Sequence, residues 1–410
     1  MDASLHEKEK KQKTTLAILT YDDGKRIFRG NRKNFVDLIK TGEDHGVDVY
    51  VTTTDELKLS GSQIVGYTYD EVHKKWKKGL VPLPNVVYNR IPFRKFELLP
   101  EVQQTIQSCL KHGKIHFFNP AFYNKWTLFE WLSKSKDTKA IVPVTQKLTN
   151  SDELEKMLQK HKSLYLKPVR GKAGKGIMKV SYRNGKNQTG EYQLSIQEKT
   201  RSHISRHSSV QQLWSQIREM SSGKDYIMQQ AIQLAHYKQR PFDLRALIQK
   251  NAKGEWSVAG VGARLAGKRS ITTHVPRGGS IDNPLKLLSA TFGLGGSRKI
   301  IKQTKQTAII LAKQIEKASG QTIGEMSMDL GVDTSGNIWF FEANAKPMKF
   351  DEPHIRKRSL QNLIRYSLFL SGNKKAKRSP ETAAARKKTV NLRSRKPNAL
   401  TQKILAAIKI

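Results

Sequence analysis

The sequence predicts a mixed α/β protein with more than one domain. At 410 residues the chain is long enough for two or three domains, and 37% hydrophobic residues is typical of ordinary globular proteins. Strand-like and helix-like patterns alternate as far as Gly372, and a Gly-rich loop lies between two of the predicted strands. Beyond Gly372 the pattern stops and the sequence becomes basic.

The first predicted domain covers residues 14–118 and follows a basic disordered lead at residues 1–13. Strands are expected at TTLAILT, VDVYVTT and PNVVYNR, with a helix around NRKNFVDLIKTGEDHG that ends at Gly46. This alternation favours a small α/β domain with a mainly parallel sheet.

Two further subdomains are predicted, at residues 119–228 and 229–372. The first begins with the helix KWTLFEWLSK, whose Trp126, Phe129 and Leu132 recur at helical spacing and are assigned to the core. Its later elements are the strand SLYLKP, the loop VRGKAGKG, the strand IMKVSY, a hairpin, the helix SVQQLWSQIREMSSG and the strand DYIMQQAI. The second holds the strands DLRALIQK and WSVAGVGARL, the helix TKQTAIILAKQIEKASG and the hairpin MSMDLGVDTSGNIWFFEANAKP. Residues 373–410 are predicted to form a disordered basic tail.

The charge balance and the single cysteine exclude several classes of protein. Lys plus Arg number 74 against 35 Asp plus Glu, a formal net charge of +39. A polyanionic partner is therefore expected, whether nucleic acid, an acidic polymer, an acidic protein shell or nucleotide phosphates.

The single cysteine, Cys109, excludes an internal disulfide framework and is assigned to the core. The sequence has no membrane-spanning stretch, and its start lacks the apolar core of a signal peptide, so cytoplasmic synthesis is expected.

The last hairpin carries the strongest chemical signal. Its turn centres near Ser335, so antiparallel pairing places Asp329 opposite Glu342. Glu342 and Asn344 share a face because strand side chains alternate. Three oxygen ligands suit Mg²⁺, and the hairpin has neither the His nor the Cys that zinc prefers. Taken alone, such a hairpin is more often an exposed turn with two solvated acids.

A basic Gly-rich loop follows Lys167 at the end of a predicted strand. Its glycines and lysines are Gly171, Lys172, Gly174, Lys175 and Gly176. Glycines let backbone N–H groups approach phosphate oxygens, and lysines supply compensating charge. Ile177 excludes a Walker A loop, and the strand that follows excludes a dinucleotide fingerprint. By itself such a loop is more often a mobile turn.

Three arginines are candidates for holding an acceptor carboxylate and a developing acyl phosphate, namely Arg245, Arg264 and Arg277. Guanidinium groups fork onto carboxylates and phosphates. In a chain this basic, each arginine taken singly is more often a surface charge. Together with the hairpin and the Gly-rich loop, they favour a site for a nucleotide and a carboxylate.

The candidate residues and segments occur in a fixed order along the chain, namely Lys125, Lys167, the Gly-rich loop, MQQAI, Arg264 to Gly279, Asp329, Glu342 and Asn344. This arrangement resembles the ATP-grasp superfamily over about Asn119 to Gly372. The resemblance implies an α+β ATP-grasp fold, with a pre-ATP-grasp domain followed by two subdomains that clamp Mg-ATP. It implies magnesium ligation by Asp329, Glu342 and Asn344, catalytic roles for Arg264, Arg277 and Lys167, and His274 close by. The ATP-binding residues it implies are Lys125, Lys167, Gly171, Lys172, Gly174, Lys175, Gly176, Gln229, Gln230, Ala231, Ile232, Asp243 and Arg245.

The segments LYLKPVRGKAGKGIMKV, RPFDLRALIQ and FFNPAFYNKW are similar to the YheC/YheD endospore coat-associated group. The ATP-grasp resemblance implies a carboxylate–amine ligase that forms an amide through an acyl phosphate. The YheC/YheD similarity implies synthesis in the mother cell and association with the spore coat, but not the substrate, for which peptides or proteins are candidates. Gln229, Ser327 and Met348 depart from residues common in other ligases, so nucleotide preference and acceptor chemistry stay open.

Two alternatives remain at this level. The first is a catalytically weak or inactive structural component of the coat that binds acidic partners, against which the retained Asp329, Glu342 and Asn344 argue. The second is a nucleic-acid binder driven by net charge. No zinc-finger spacing, RNA-recognition aromatic motif or coiled-coil heptad supports it, although the basic tail alone would bind nucleic acid nonspecifically.

Overall fold

Three β-sheets with helices packed against them make up this computed structural model, which describes residues 13–171, 174–184 and 190–372. Lys172, the predicted tail and all but the last residue of the predicted lead lie outside the described residues. Among the helices that are described, none combines the length and the apolar character needed to cross a membrane.

The first sheet is parallel at its centre, as predicted, and carries an antiparallel hairpin at one edge. Its strands are β1 (Thr15–Thr20), β2 (Asp48–Thr53), β3 (Gln63–Asp70), β4 (Lys75–Pro82), β5 (Val86–Asn89) and β6 (His116–Phe118). They lie in the order β4-β3-β2-β1-β5-β6, and only the β2–β3 and β3–β4 pairs are antiparallel. The helices of this part are α1 (Arg32–Glu43), α2 (Arg94–Glu97) and α3 (Pro100–Lys111). Cys109 lies buried on α3, where burial raises the pKa of its thiol to about 12.

A short helix, α4 (Lys125–Lys134), leads from the first sheet into the rest of the chain. Its N-cap is Asn124, whose side chain accepts hydrogen bonds from the backbone N–H groups of the first turn. Phe129 and Leu132 are buried as predicted, with Trp126 at their margin, and they pack in the core of the third sheet. The cap and this packing fix Lys125 at the first position of α4.

The second sheet contains the predicted strands on both sides of the Gly-rich loop. Its strands are β7 (Thr145–Lys147), β8 (Ser163–Pro168), β9 (Met178–Asn184), β10 (Gly190–Gln197), β11 (Ser202–His207) and β12 (Tyr226–Gln230). They are antiparallel and lie in the order β11-β10-β9-β8-β12-β7. A 3₁₀ helix at Lys139–Ile141 precedes them, and the helices α5 (Ser151–His161) and α6 (Val210–Ser221) cover one face, with which they share a separate core.

The third sheet carries the predicted hairpin. Its strands are β13 (His236–Tyr237), β14 (Arg240–Lys250), β15 (Trp256–Leu265), β16 (Ser280–Asp282), β17 (Glu325–Val332) and β18 (Ile338–Asn344). The order is β16-β15-β14-β17-β18, with β13 paired to β14. A 3₁₀ helix at Val275–Arg277 precedes β16, and the long helix α7 (Pro284–Ser319) packs against the sheet. Gly293 interrupts α7 with a φ of 66°, a backbone conformation that glycine adopts readily.

The last described helix, α8 (Pro353–Leu370), joins the core of the first sheet and was not anticipated from the sequence. Leu363 and Ile364 of α8 belong to the same buried cluster as Ile18 of β1 and Phe35 of α1. The first sheet is therefore completed by a segment that follows the third sheet in the sequence.

Truncating this contact should destabilise the protein. We expect Ile364→Ala to lower the free energy of unfolding by about 2–5 kcal/mol, because it removes a fully buried aliphatic side chain and leaves a cavity. His354→Ala, at an exposed position of the same helix, should change it by less than about 0.5 kcal/mol. Chemical denaturation followed by circular dichroism measures both, and equal effects would contradict the role assigned to α8.

Polar contacts also fix the first sheet to the third. Asn119 donates its amide to the carbonyl of Glu325 at 2.8 Å and accepts from the N–H of Gly324 at 2.8 Å. A buried ion pair joins Lys346 to Glu97. These two sheets therefore form a common support for the strands β17 and β18.

Candidate active site

The β17–β18 hairpin has the predicted register, with one irregularity that changes what it presents. Asp329 lies opposite Glu342, as predicted, and the next pair is Leu330 with Phe340. Phe341 is therefore an extra residue without a partner, a β-bulge. Both Phe341 and Glu342 consequently line one cleft, although regular alternation would turn them to opposite faces.

This cleft lies between the second and third sheets and encloses about 840 Å³, part of it open to solvent. That volume is within the range of pockets that bind small molecules. Most of the predicted site residues line it, namely Lys125, Lys167, Gly171, Gly174, Lys175, Gln229, Gln230, Ile232, Asp243, Arg264, Asp329 and Glu342. The fold thus brings together residues that are more than 200 positions apart in the sequence.

Five predicted residues in the described part of the chain do not line the cleft. Gly176 and Ala231 flank the cleft. Asn344 lies opposite Ser327, two residues after Glu342 on β18, and therefore shares a face of the strand with Glu342. Arg245 is opposite Asp329 in the sheet, and its guanidinium lies over the ring of Phe350, 4.5 Å from the centroid. Arg277 donates to the carbonyl of Glu198 at 3.2 Å and so braces a loop at the rim.

An apolar wall of the cleft was missed by sequence reasoning. Its members are Tyr165, Ile177, Leu234 and Phe341. A loop beside this wall also lines the cleft, with Ile271, Thr272 and Thr273, which were missed, and His274, which the resemblance had placed close by. Tyr165 could have been identified from the sequence, because it precedes Lys167 by two positions on β8 and lies on the same face of the strand. Phe341 was not, because its direction depends on the bulge.

A buried ion cluster forms the floor. Arg264 binds Asp243 with both Nε (3.0 Å to Oδ1) and Nη2 (2.7 Å to Oδ2), and Nη2 also lies 2.8 Å from Oδ2 of Asp329. Burial by itself would raise the pKa of Asp329, but the charges of Arg264, His274 and Arg245 outweigh it and lower that pKa. The Asp329 carboxylate is therefore ionised at neutral pH.

Two lysines face this floor. Lys167 donates to Oε1 of Gln229 at 2.5 Å, and burial lowers its pKa to about 8 against the opposing effect of Glu342. Lys125 lies 2.6 Å from Oε1 of Glu342. Gln229, one of the departures noted in the sequence, also donates to Thr145 at 2.9 Å, so its amide orients the Lys167 ammonium.

A metal-binding geometry is present at the same place. One ligand atom from each of His274, Asp329 and Glu342 lies within 4.8 Å of the other two. Oδ1 of Asp329 and Nδ1 of His274 are buried, and neither has a hydrogen-bond partner within the described ranges. The donor set fits a divalent cation. The hairpin itself contains no histidine, and His274, which the resemblance placed close by, comes to this patch from another loop.

The loop that supplies His274 is fastened to both neighbouring sheets. Thr273 donates to Oδ2 of Asp243 at 2.6 Å, and Tyr165 of β8 donates to the carbonyl of Ile271 at 3.0 Å. A Cβ on Gly279 would lie 2.2 Å from the carbonyl oxygen of Thr273, so the close turn of this loop requires glycine. Burial, and then the charge of Arg264, lower the pKa of His274.

A second, smaller cavity of about 360 Å³ lies between the first sheet, α8 and the segment after β18. Three cationic side chains line it, those of Arg90, Lys349 and Arg356. Arg90 lies 3.2 Å from the buried Glu325, and Arg356 pairs with Asp37. Lys349 makes no ion pair with any residue that the structure describes.

The architecture and the cleft define an ATP-grasp protein. The structure matches that of the VanG D-Ala:D-Ser ligase from Enterococcus faecalis with a TM-score of 0.50 and 15% sequence identity, over 89% of this chain and 100% of that one. Residues 114–370 match the family model described as YheC/D like ATP-grasp. The chain therefore belongs to the YheC/D-like ATP-grasp family, which confirms the resemblance found in the sequence.

Two relatives from Bacillus subtilis (strain 168) agree with this assignment. The endospore coat-associated protein YheD is 29% identical over 366 residues, covering 87% of this chain and 77% of YheD. The endospore coat-associated protein YheC is 21% identical over 323 residues, covering 76% of this chain and 84% of YheC. The similarity thus extends beyond the residues matched by the family model.

Proposed function

We propose that this protein is an ATP- and Mg²⁺-dependent ligase that activates a carboxylate as an acyl phosphate and joins it to an amine. The observation that carries the proposal is the pairing of Asp329 with Glu342 in a cleft that also holds Lys125 and Lys167. Acids that suit a divalent cation and lysines that suit phosphates meet there at short range. Membership of the YheC/D-like ATP-grasp family supports the same reading.

The cleft offers a distinct place to each part of the nucleotide. Tyr165, Ile232 and Phe341 provide apolar surface for a flat base, with backbone groups near Gln230 for its edge. Lys125 and Lys167 are placed to bind phosphate oxygens, and Gly171 and Gly174 let the loop backbone approach them closely. The phosphates would then run from the second sheet toward Asp329.

Asp329, Glu342 and Asn344 are the residues proposed to hold magnesium. The cation, when bound, supplies charge neutralisation and polarisation of the transferred phosphoryl group. Lys167 and Arg264 add fixed positive charge around the attacked phosphorus, so this chain mainly positions and screens the reactants. No side chain is required as general base, because the amine is able to lose its proton to the departing phosphate.

The second cavity is the proposed entry for the carboxylate substrate. Leu247 lines it and lies opposite Ser327, which is two positions from Asp329 and therefore about 7 Å away on the same sheet face. Arg90, Lys349 and Arg356 make that cavity suitable for an anionic group. Its size fits an amino acid or one side chain of a peptide better than a larger molecule.

Isothermal calorimetry followed by a phosphate-release screen tests the proposal. The purified chain should bind a nonhydrolysable ATP analogue with Mg²⁺, and should release phosphate from ATP when an amine and an acidic carboxylate substrate are both present. Lys349→Ala should raise the KM for the carboxylate while leaving nucleotide affinity unchanged, because it lines only the second cavity. A folded protein that binds no nucleotide would contradict the proposal and favour the structural component of the coat.

We further propose association with the endospore coat after synthesis in the mother cell. The support is similarity to YheD and YheC, which are both endospore coat-associated. The net charge of +39 would favour acidic coat components as partners, and nonspecific binding of nucleic acid by residues 373–410 stays a prediction.

A further inference from the structure

We propose that His274 is a direct ligand of the metal ion in this cleft, and that the site therefore prefers a divalent transition cation such as Mn²⁺ over Mg²⁺. The inference deepens the proposed function and rests on it, since it concerns the cation of the same site. It names a ligand outside the set of Asp329, Glu342 and Asn344.

Asp329 and Glu342 each have one carboxylate oxygen that the local ion pairs do not use. Arg264 occupies Oδ2 of Asp329, and Lys125 occupies Oε1 of Glu342. What remains is Oδ1 of Asp329, which is buried and has no partner in the described part of the chain, and the second carboxylate oxygen of Glu342. Each cationic side chain thus binds one oxygen of its partner carboxylate and leaves the other oxygen available to a metal ion.

His274 supplies the third atom. Its Nδ1 is buried without a hydrogen-bond partner among the described residues, and one of its ring nitrogens lies within 4.8 Å of ligand oxygens of both acids. Ligands about 2.1 Å from one cation lie about 3 to 4.2 Å apart, so pairs near the 4.8 Å limit would close by roughly an ångström when the cation binds. A cation bound between these residues would explain why Oδ1 of Asp329 is buried among the described residues without a hydrogen-bond partner.

The loop holds the imidazole in this place. Thr273, the preceding residue, is tied to Asp243, and Gly279 makes the tight turn against the Thr273 carbonyl. A Cβ added to Gly174 would lie 3.3 Å from Nδ1 of His274, so Gly174 packs directly against the ring. Gly174 therefore leaves room for the imidazole beneath the loop.

The ligand chemistry decides which cation is preferred. Mg²⁺ binds oxygen almost exclusively and keeps several waters, whereas an imidazole nitrogen raises affinity along the series from Mn²⁺ toward Zn²⁺. One nitrogen and two carboxylates therefore favour a transition cation. A rival role for His274 is a hydrogen bond to phosphate, which needs no metal contact and predicts no selectivity between cations.

Electron paramagnetic resonance of Mn²⁺ separates the two roles. Metal-stripped full-length protein is titrated with MnCl₂ alone, and pulsed measurements look for coupling of the bound ion to a ¹⁴N nucleus. We expect that coupling in the native protein and its loss in His274→Gln, together with a loss of Mn²⁺ affinity of about tenfold or more. Mg²⁺ affinity, measured by competition, should change much less. His116→Gln, at an exposed position of β6, is the matched control.

Each outcome bears on the inference. Bound Mn²⁺ without nitrogen coupling, coupling that persists in His274→Gln, or no Mn²⁺ binding by the native protein would overturn it. Normal Mg-nucleotide binding in the same samples would leave the proposed function standing in those cases. Nitrogen coupling with no nucleotide binding would retain the metal ligand and overturn the ligase.

Discussion

Asp329→Asn combined with Glu342→Gln should weaken binding of a Mg²⁺–ATP analogue by more than about 100-fold, because both carboxylates that suit the cation become neutral amides. The change is nearly isosteric, and Arg264 keeps its two contacts with Asp243, so the fold should persist. Calorimetry gives the affinity directly. In thermal unfolding, the native protein at 100 times Kd should gain about 2.7 kcal/mol from the ligand and the variant almost nothing.

A matched control removes two negative charges at a site away from the cleft. Glu43→Gln with Asp44→Asn alters exposed acids at the end of α1, far along the chain from the cleft. This variant should bind the nucleotide as the native protein does. If the cleft variant retained affinity within a factor of about three of the control, the nucleotide would have to bind somewhere other than at these acids.

Replacing Lys167 should have the next largest effect. Lys167→Met removes a charged donor from the buried wall of the cleft and should weaken nucleotide binding by about 10–100-fold, since a hydrogen bond to a charged group is worth about 1.5–3 kcal/mol. Lys199→Met, an exposed position on the β10–β11 turn, should leave affinity unchanged.

The lowered pKa of Lys167 adds a pH dependence with a definite sign. Phosphates bind the protonated ammonium, whose pKa in the free protein is about 8. Affinity should therefore be constant below pH 8 and fall by up to about tenfold per pH unit above it. Lys167→Arg keeps its charge and should bind with little change between pH 7 and 9.5. A native profile that stays flat to pH 9.5 would contradict the role of Lys167.

The register of the site was predictable because it depends on local rules. A turn at Ser335 and a side-chain period of two are enough to place Asp329 opposite Glu342. The same rules do not give the direction of the Phe341 side chain, because nothing in the local sequence pattern predicts a β-bulge. The helix α8 was not predicted, and its packing against the first sheet depends on contacts between residues that are distant in the sequence.

The roles of the arginines and of His274 could not be assigned from the sequence. Arg245 and Arg264 lie on neighbouring strands of one sheet, and only the fold shows that Arg264 pairs with the acids while Arg245 stacks on Phe350. His274 reaches Asp329 because its loop is tied to two sheets. Such contacts depend on side-chain packing between elements that are distant in the chain, which no spacing rule encodes.

The position of α8 also sets a sequence of events during synthesis. Ile18 and Ile364 share one core but are separated by 346 positions. At about 5–20 residues per second, the ribosome needs on the order of 20–70 s to make the residues between them. Through that interval the first sheet presents apolar side chains that α8 will later cover. A nascent chain halted before α8 should therefore bind a chaperone that the completed protein releases.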